Sequence, residues 1–328
     1  MSSPQDKPAA SSPQDKPAAS SPQDKPAANS PSNKPAASRS PSKPVVRSPE
    51  RFAVLANPQI PEAVELAETI GQHLGGEAFW GPLNDDQLRD QIAKQPVDLC
   101  IALGGDGTML RAGHLCAPLR IPILGINLGR FGFLTEVRKQ DWKQALSRVM
   151  AGDYWLEERM MLRAEHMRGD KVLGTWEVLN ECFIGRGELV RPVNLVTEID
   201  GRHLTTYLAD GLIVATATGS TAYALAAGGP ILPPELRNVV IVPVAPHLSM
   251  DRAIVLHEGS SVKVEVRTDY QAILSVDGSP PILLEDRDRV ELRAADNVVH
   301  FARLQDPHYF YRNLTSRMNQ NPTSQVGQ

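Results

Sequence analysis

The chain has few aromatic residues, few cysteines and no long apolar run. Aromatic side chains make up 5% of its 328 residues, and its three cysteines are an odd number, spread too far apart for the usual zinc pairings. We interpret Cys100, Cys116 and Cys182 as buried thiols in a reducing compartment. No window approaches the roughly 18 consecutive apolar residues of a membrane helix, and the first residues lack the apolar core of a signal peptide. We therefore expect a soluble, cytoplasmic protein that does not act at a membrane.

A basic surface for nucleic acid is also missing. Residues 1–50 carry seven Lys or Arg and four Asp or Glu, a net charge of +3, and the whole chain carries −4. The other 278 residues therefore carry −7. An acidic body does not match a general nucleic-acid binder, so any phosphate must be held by a local site.

The first 50 residues are dominated by a short repeat. Residues 2–28 are three copies of SSPQDKPAA, and the related NSPSNKPAAS follows. Proline recurs every four or five residues, and no aromatic or β-branched residue occurs before Val45. Such a segment buries too little apolar surface to offset its ordering entropy, so we expect residues 1–50 to be a disordered tail.

Strand and helix patterns alternate after the tail. RFAVLANP, VDLCIAL (Val97–Leu103) and IPILGINL have the apolar character of buried strands, and PEAVELAETIGQHLGG and TMLRAGHLCAP have helical spacing. Parallel strands need crossover connections, so this order predicts an α/β domain with a parallel sheet over residues 51–148. Ligands of such sheets bind at the carboxyl ends of the strands, and GGDGT lies at one of these ends.

The pattern changes near Tyr154. The segments WEVLNECFI, NLVTEIDG, LIVATA, VVIVPV, AIVLH, SVKVEV and AILSVDG are short, rich in Val and Ile, and separated by turn residues. STAYALAAGG is the helical pattern among them. This texture predicts a β-rich C-terminal domain over residues 149–292.

The stretch IALGGDGTMLRAG places one acid, Asp106, on a glycine turn between a strand and a helix. The glycines permit close approach of a phosphate, and the helix start offers free amides. An aspartate suits such a loop where a cation or a proton acceptor is needed; the alternative is that Asp106 only caps the helix. The chain has neither GxxxxGK[ST] nor an intact GxGxxG, which excludes the two commonest nucleotide loops.

Polar residues also follow other predicted strands. In NLGRFGFLTEV, Arg130 either neutralises a phosphate or is an exposed turn residue, and Phe131 and Phe133 are more typical of a core than of a stacking platform. Asn180 and Glu181 in LNECFI either contact sugar hydroxyls and a carboxamide or form an ordinary pair at a strand edge.

The stretch ADGLIVATATGSTAYALAAGGPIL, Ala209–Leu232, combines small residues with hydroxyls. Small side chains let a flat ligand come close, and hydroxyls with helix-start amides bind sugar and phosphate oxygens; the alternative is a capped buried helix. His247 and Asp277 are further polar residues after strands, and a lone histidine there is more often structural than catalytic.

In this order, LGGDGTML, NLGRFGFLTEV, the NE pair, DGLIVATATGSTAYALAAGGPIL, the PH of VAPHLS and VDG resemble the NAD kinase family. The resemblance spans roughly Arg51 to Asn313, and its GSTAY segment is highly specific. It implies an N-terminal α/β domain and a C-terminal β-rich domain that binds NAD, with residues 293–318 packing back on the first. It also implies phosphoryl transfer from ATP, or another donor, to the 2′-hydroxyl of the adenosine ribose of NAD.

The resemblance implies roles for particular residues. Asp106 accepts the proton of the 2′-hydroxyl, and the GGDGT glycines lie by the phosphates. Asn180 and Glu181 contact the nicotinamide-side ribose and the carboxamide, and residues 221–226 line the adenosine pocket. The residues assigned to cofactor and substrate binding are Gly104, Gly105, Asp106, Gly107, Thr108, Asn180, Glu181, Arg191, Asp210, Thr221, Ala222, Tyr223, Ala224, Leu225, Ala226 and Ala245.

The expected cofactors are Mg²⁺ or another divalent metal, whose ligands the sequence does not identify, with ATP as donor and NAD as substrate. We expect small-molecule partners and a homo-oligomer, either a dimer or a tetramer, formed through the β-rich domain. Two alternatives stay open at this point: a lipid kinase built on a similar GGDGT loop, and a dinucleotide sensor without turnover.

Overall fold

The computed structural model describes residues 47–129, 131–189, 191–247 and 250–318. Residues 1–46 of the predicted disordered tail (1–50) and Arg130 lie outside these residues. The last four residues of the predicted tail are described, and the Arg47 carbonyl accepts a hydrogen bond from the Tyr154 hydroxyl (3.1 Å). From residue 47 onward the described chain belongs to one compact unit. Strands and helices alternate in its first part, which contains β1 (Phe52–Ala56), α1 (Pro61–Leu74), β2 (Phe79–Leu83), α2 (Asp85–Lys94), β3 (Leu99–Leu103), α3 (Asp106–Cys116), β4 (Ile123–Asn127), β5 (Val137–Arg138) and α4 (Trp142–Met150).

Strands dominate the remainder, as the close spacing of Val-rich segments predicts. These elements are β6 (Trp155–Arg168), β7 (Lys171–Val178), β8 (Glu181–Arg186), β9 (Val193–Ile199), β10 (Arg202–Ala209), β11 (Gly211–Thr216), α5 (Tyr223–Ala226), β12 (Asn238–Val244), β13 (Ile254–His257), β14 (Val262–Arg267), β15 (Ala272–Val276), β16 (Ile282–Leu284), β17 (Arg289–Arg303) and α6 (Tyr309–Met318).

The strands form two sheets. The larger has 11 strands with the path β10-β9-β14-β17-β4-β3-β1-β2, and the smaller has the order β13-β12-β11-β8-β15-β16. Strands β2, β1, β3 and β4 pair in parallel, whereas the smaller sheet is antiparallel. The predicted class, an α/β region with a parallel sheet followed by a β-rich region, is confirmed.

The long strand β17 connects the two regions of the larger sheet. Its beginning pairs with β14, its whole length pairs with β6, and near its end Phe301 lies parallel to Ile123 of β4. The predicted boundary between residues 148 and 149, and the packing assigned to residues 293–318, stay predictions.

Helices cover both faces of the parallel strands. In β1, Phe52, Val54 and Ala56 belong to the core beneath α1 and α4, while Ala53 and Leu55 belong to the core beneath α2 and α3. A strand buried on both faces has no polar alternation, which explains the uninterrupted apolar pattern of FAVLA. The three cysteines are buried free thiols, as expected from their number and spacing.

Candidate active site

The GGDGT turn joins β3 to α3 at the carboxyl edge of the parallel strands. Gly104 has φ of +155°, and a Cβ there would lie 2.2 Å from the Thr108 hydroxyl, so glycine is required. Apart from the turn's own neighbouring backbone, no atom of the described residues lies within 4 Å of the position that a Cβ would take at Gly105 or Gly107. The turn is therefore open above these two residues, and a ligand can approach the backbone at the N-terminus of an 11-residue helix.

Asp106 is the first residue of α3, but it does not cap the helix. The N-cap is Gly105, which makes no side-chain cap hydrogen bond. The Asp106 carboxylate instead accepts hydrogen bonds from the backbone N–H groups of Phe133 (2.8 Å) and Leu134 (3.0 Å). Each carboxylate oxygen keeps a lone pair for a further partner. The structure therefore replaces the helix-cap interpretation with a carboxylate fixed at the mouth of the turn.

The Asn180–Glu181 pair is held by a buried aspartate. The Asp277 carboxylate accepts hydrogen bonds from the N–H groups of Leu179 (2.7 Å), Asn180 (2.8 Å) and Glu181 (2.9 Å). One of its oxygens also lies 2.8 Å from Nε2 of His114 on α3. The Asp277 side chain is 1% exposed, so this contact fixes the NE pair against the helix that begins with GGDGT.

The pKa of the Glu181 carboxyl group is raised well above its ordinary value. Burial and the neighbouring charge of Asp277 raise the pKa of Glu181 to about 8, while the backbone N–H of Tyr223 acts in the opposite direction. One carboxyl oxygen is buried and makes no hydrogen bond within the described chain. An unpaired buried oxygen favours a ligand that supplies the missing partner.

The raised pKa of Glu181 predicts that the stability of the fold depends on pH. Below pH 4.5 the carboxyl is protonated in both states; as the pH rises through about 8, the folded form loses stability because the unfolded form ionises first. Wild type should lose roughly 2 kcal/mol of unfolding free energy relative to Glu181→Gln between pH 6 and pH 9. Urea unfolding at both pH values measures this difference. The exposed Glu235→Gln serves as the control, and a pH-independent gap between wild type and Glu181→Gln would contradict the shift.

The TATGST turn after β11 packs directly on the NE pair. The Thr216 hydroxyl donates to the Leu179 carbonyl (2.6 Å) and accepts from the N–H of Gly219 (3.1 Å). A Cβ at Gly219 would lie 2.1 Å from the Asn180 carbonyl oxygen, so only glycine permits this approach. Residues from both predicted loops therefore meet in one place.

The segment 221–226 is a short turn rather than a long helix. A 3₁₀ turn over Gly219–Thr221 precedes α5, which has four residues. Tyr223 is 44% exposed, and its ring lies 5.7 Å from that of Phe183, whereas Ala224 is buried. Tyr223 and Ala226 face solvent, and Thr221, Ala222 and Leu225 are partly buried. The backbone N–H of Tyr223 lies at the Glu181 carboxyl group, and its exposed ring can contact a flat ligand.

Asp210 lies at the opposite end of the same strand pair. In the β8–β11 register, Glu181 faces Ala215 whereas Gly185 faces Gly211. Four residues of strand correspond to about 13 Å. The structure therefore does not bring Asp210 together with the Asn180–Glu181 pair within this chain.

Arg191 and Ala245 lie at the same end of the β8–β11 strand pair as Asp210. The Asp210 carboxylate lies 3.2 Å from Nε of Arg186, and Ala245, with φ of +46°, follows β12 at the point where Asp210 pairs. The Arg191 guanidinium lies 4.7 Å from the centre of the Tyr270 ring and hydrogen-bonds its hydroxyl. The predicted dinucleotide-binding residues of the β-rich region thus form two groups, one at each end of β8, apart from the GGDGT turn at the start of α3.

A buried charged cluster lies beneath the site, and the sequence patterns did not reveal it. Glu157 on β6 accepts hydrogen bonds from Arg159 (2.9 Å), Arg303 (2.7 Å) and the Tyr309 hydroxyl (2.9 Å). Burial opposes the charge of Glu157, but Arg159 and Arg303 outweigh it and lower its pKa to about 2. The sequence signal for this cluster is the pair Glu157 and Arg159 in WLEERMM. These two charged residues stand at positions i and i+2, so their side chains share one face of the strand.

This cluster connects the two loops of the site. Arg159 donates to the Thr218 hydroxyl in the TATGST turn (3.1 Å), and Arg303 donates to the carbonyl of Leu134 (2.8 Å). The N–H of Leu134 in turn donates to Asp106. Hydrogen bonds and the backbone of Leu134 therefore link the TATGST turn to the carboxylate at the glycine turn.

Family models match both parts of this site. A model described as the ATP-NAD kinase N-terminal domain matches residues 85–154, and one described as the ATP-NAD kinase C-terminal domain matches residues 179–304. An NAD kinase of Chloroflexus aurantiacus is 42% identical over 273 residues, covering 82% of this chain and 98% of the relative. The chain belongs to the NAD kinase family.

A further relative agrees with this assignment, and two solved structures share the fold. An NAD kinase of Dehalococcoides mccartyi is 36% identical, covering 84% of the chain and 98% of the relative. The fold is similar to that of yeast NADH kinase complexed with NADH (TM-score 0.71, 22% identity, 85% and 91% of the two chains). It is also similar to an NAD kinase from Archaeoglobus fulgidus in complex with ATP (TM-score 0.62, 23% identity, 82% and 99%).

Within the described residues, no group of three or more His, Cys, Asp or Glu side chains has a geometry suited to a metal ion. No helix in the same residues is long and apolar enough to cross a membrane. His247 is exposed, and its backbone N–H donates to the Leu208 carbonyl (2.7 Å).

Proposed function

We propose that this protein is an NAD kinase, a phosphotransferase that converts NAD and ATP into NADP and ADP. The observation that carries the proposal is the Asp106 carboxylate, held by two backbone N–H groups at the mouth of an open glycine turn. Phosphoryl transfer requires positioning, charge neutralisation and an acceptor for the hydroxyl proton, and this turn offers the first and the last.

The proposed reaction transfers the terminal phosphoryl group of ATP to the ribose of NAD. The 2′-oxygen of the adenosine ribose attacks the terminal phosphorus of ATP, the bond from that phosphorus to the β–γ bridging oxygen breaks, and ADP leaves with the bond electrons. Asp106 accepts the hydroxyl proton. The open backbone at Gly105 and Gly107 receives the donor phosphates near the N-terminus of α3.

The dinucleotide contacts are assigned to the two groups of residues at the ends of β8. Asn180, Glu181 and the 221–226 segment contact the sugar and base groups, with the unpaired Glu181 oxygen as a hydrogen-bonding site. Asp210 belongs to the dinucleotide site at the other end, where Arg191 and Ala245 supply further dinucleotide contacts.

We assign Mg²⁺ to the phosphates of the donor rather than to a site built from protein side chains. Substrate phosphates and waters can supply most of the ligands of Mg²⁺, which leaves Asp106 to accept the hydroxyl proton. When bound, the ion neutralises charge on the phosphates. A cavity of about 330 Å³ lies at the carboxyl ends of β1 and β2. It is bordered by Asn57 after β1, Asn84 after β2 and Arg111 on α3, and it offers room for the donor nucleoside.

We further assign the protein to the cytoplasm, and to a dimer or tetramer formed through the β-rich region. Outer strands of the smaller sheet expose Val255 on β13 (46%) and Leu283 on β16 (58%). Sheet edges with exposed apolar residues favour self-association. Light scattering during size-exclusion chromatography measures the oligomer.

One assay tests the main proposal. The full chain is incubated with NAD, ATP and MgCl₂, and NADP is detected with an NADP-specific dehydrogenase. Turnover supports the proposal. NAD binding without turnover would instead make the protein a dinucleotide sensor, and phosphorylation of a diacylglycerol with no NADP would make it a lipid kinase. No contact in the described chain favours either alternative.

The exposed ring of Tyr223 provides a test of the dinucleotide site. Tyr223→Ala should weaken NAD binding by ~1 to 3 kcal/mol, a five- to 150-fold rise in Kd, because a stacking contact is lost. Its thermal stability should change little, since the ring is 44% exposed. Calorimetric titration with NAD measures the change. Tyr311→Ala, at a 60% exposed tyrosine on α6, is the control, and an unchanged Kd for Tyr223→Ala would remove this residue from the site.

A further inference from the structure

The 131–136 segment, FGFLTE, lies between Asp106 and the last described helix. Its Phe133 and Leu134 supply the two N–H groups that bind the Asp106 carboxylate. Gly132 packs on the same carboxylate, because a Cβ there would lie 2.1 Å from an Asp106 oxygen. The position of the carboxylate therefore depends on the position of this segment.

Arginines hold the carbonyl groups of the same segment. Arg317 on α6 donates to the carbonyl of Phe133 (3.1 Å) and to that of Thr135 (3.2 Å). The peptide unit between Phe133 and Leu134 is thus bonded at both ends, with its C=O to Arg317 and its N–H to Asp106. Hydrogen bonds in such a chain polarise and strengthen one another.

The Arg317 guanidinium has little freedom to move. Arg317 is 6% exposed, and its guanidinium lies 5.9, 5.8 and 5.7 Å from the ring centres of Phe131, Phe133 and Tyr309. The Tyr309 hydroxyl is anchored in turn on Glu157. Burial lowers the pKa of Arg317, whereas the negative charge of Asp106 favours its protonated form. A cation held by three rings is a rigid support for the segment.

We propose that Arg317 is a positioning residue for Asp106. It acts through the peptide unit between Phe133 and Leu134, and it makes the orientation of the base depend on the docking of α6. The inference rests on the proposed function, because it concerns the group that accepts the hydroxyl proton. Arg317 itself touches neither the substrate nor the reacting atoms in this scheme.

The first test separates kcat from KM. Arg317→Ala should lower kcat by about 10- to 100-fold, the cost of misplacing a reacting group by about 1 Å, while the KM for NAD changes less than about threefold. Arg317→Lys, which keeps one charged donor, should recover part of the loss. Arg312→Ala on the same helix is the matched control, because exposed Arg312 pairs with Asp306 (2.7 Å) and should retain wild-type turnover.

A double-mutant cycle distinguishes positioning from general damage to the fold. In an Asp106→Asn background, Arg317→Ala should lower the residual turnover by less than about threefold, since the base through which it acts is already gone. An equal loss in both backgrounds would show that Arg317 supports the fold rather than Asp106, and would overturn the proposal. So would wild-type kcat in Arg317→Ala.

A second variant covers the case in which Arg317→Ala does not fold. Gly132→Ala displaces the same segment from Asp106 without changing α6, and it should lower kcat by a similar factor with KM for NAD preserved. Wild-type turnover in Gly132→Ala would overturn the proposal. These results differ from failure of the proposed function itself, in which the wild-type chain forms no NADP.

Discussion

Asp106→Asn is expected to lower kcat for NADP formation by roughly 10²- to 10⁴-fold, the usual contribution of a general base. Asparagine keeps the size of the side chain but cannot accept the hydroxyl proton. The loss should appear in kcat more than in the KM for NAD, because the proton moves in the transition state. Initial rates at saturating NAD and ATP measure it, with Asp90→Asn, at an exposed position of α2, as the control.

The structure also provides a competing role for Asp106. Its carboxylate binds the N–H groups of Phe133 and Leu134, and the asparagine amide can accept from only one of them. A purely structural role would therefore lower the melting temperature and weaken NAD binding without a comparable loss of kcat. Turnover within about threefold of wild type, at saturating substrates, would leave the chain without its proposed base.

Local sequence patterns predicted the central part of the fold because its signals are local. The strands β1, β3 and β4 are five-residue segments whose every residue is buried, so they appear as continuous apolar runs. The glycine turn is visible because Gly104 needs a backbone conformation that other residues rarely adopt. The strand–turn–helix order then places Asp106 at the carboxyl edge of the sheet.

Two parts of the fold escaped the same patterns for identifiable reasons. Strand β2 contains a Gly-Pro pair in FWGPL and is an edge strand, so its sequence lacks the usual strand signal. The apparent helix in STAYALAAGG is limited to four residues of α5 after a 3₁₀ turn. Its small residues serve close packing, as at Gly229, where a Cβ would lie 2.8 Å from the Ala224 carbonyl oxygen, rather than helix length.

The supporting residues of the candidate site could not be predicted, because they meet only in the folded chain. His114 and Asp277 are separated by 163 positions, and Glu157 and Arg303 by 146. The resemblance to NAD kinases rests on the loops themselves, so it identified Asn180 and Glu181 but not the Asp277–His114 contact that fixes them. Long-range polar pairing is set by sheet register, which a single sequence does not reveal.

Glu157→Gln is expected to destabilise the folded chain by about 3–5 kcal/mol, the cost of removing one partner from a buried ion pair. Arg159 and Arg303 are 3% and 1% exposed, and without the carboxylate their charges lose their buried partner. This loss corresponds to a melting temperature roughly 10 °C lower. The variant should also bind NAD less tightly, because Arg159 positions Thr218 in the TATGST turn.

The lowered pKa of Glu157 sets the direction in which the free energy of unfolding changes with pH. The pKa of Glu157 is about 2 when folded and about 4.5 when unfolded, so its contribution is present above pH 4.5 and is lost as the pH falls towards 2. The gap between wild type and Glu157→Gln should therefore narrow from pH 6 to pH 3, measured by urea unfolding at each pH. Glu158→Gln is the matched control: its side chain is 52% exposed and pairs with Arg237, so a loss of at most about 1 kcal/mol is expected. Equal stabilities of the Glu157→Gln and Glu158→Gln variants at pH 6 would show that the buried carboxylate does not hold the two arginines in place.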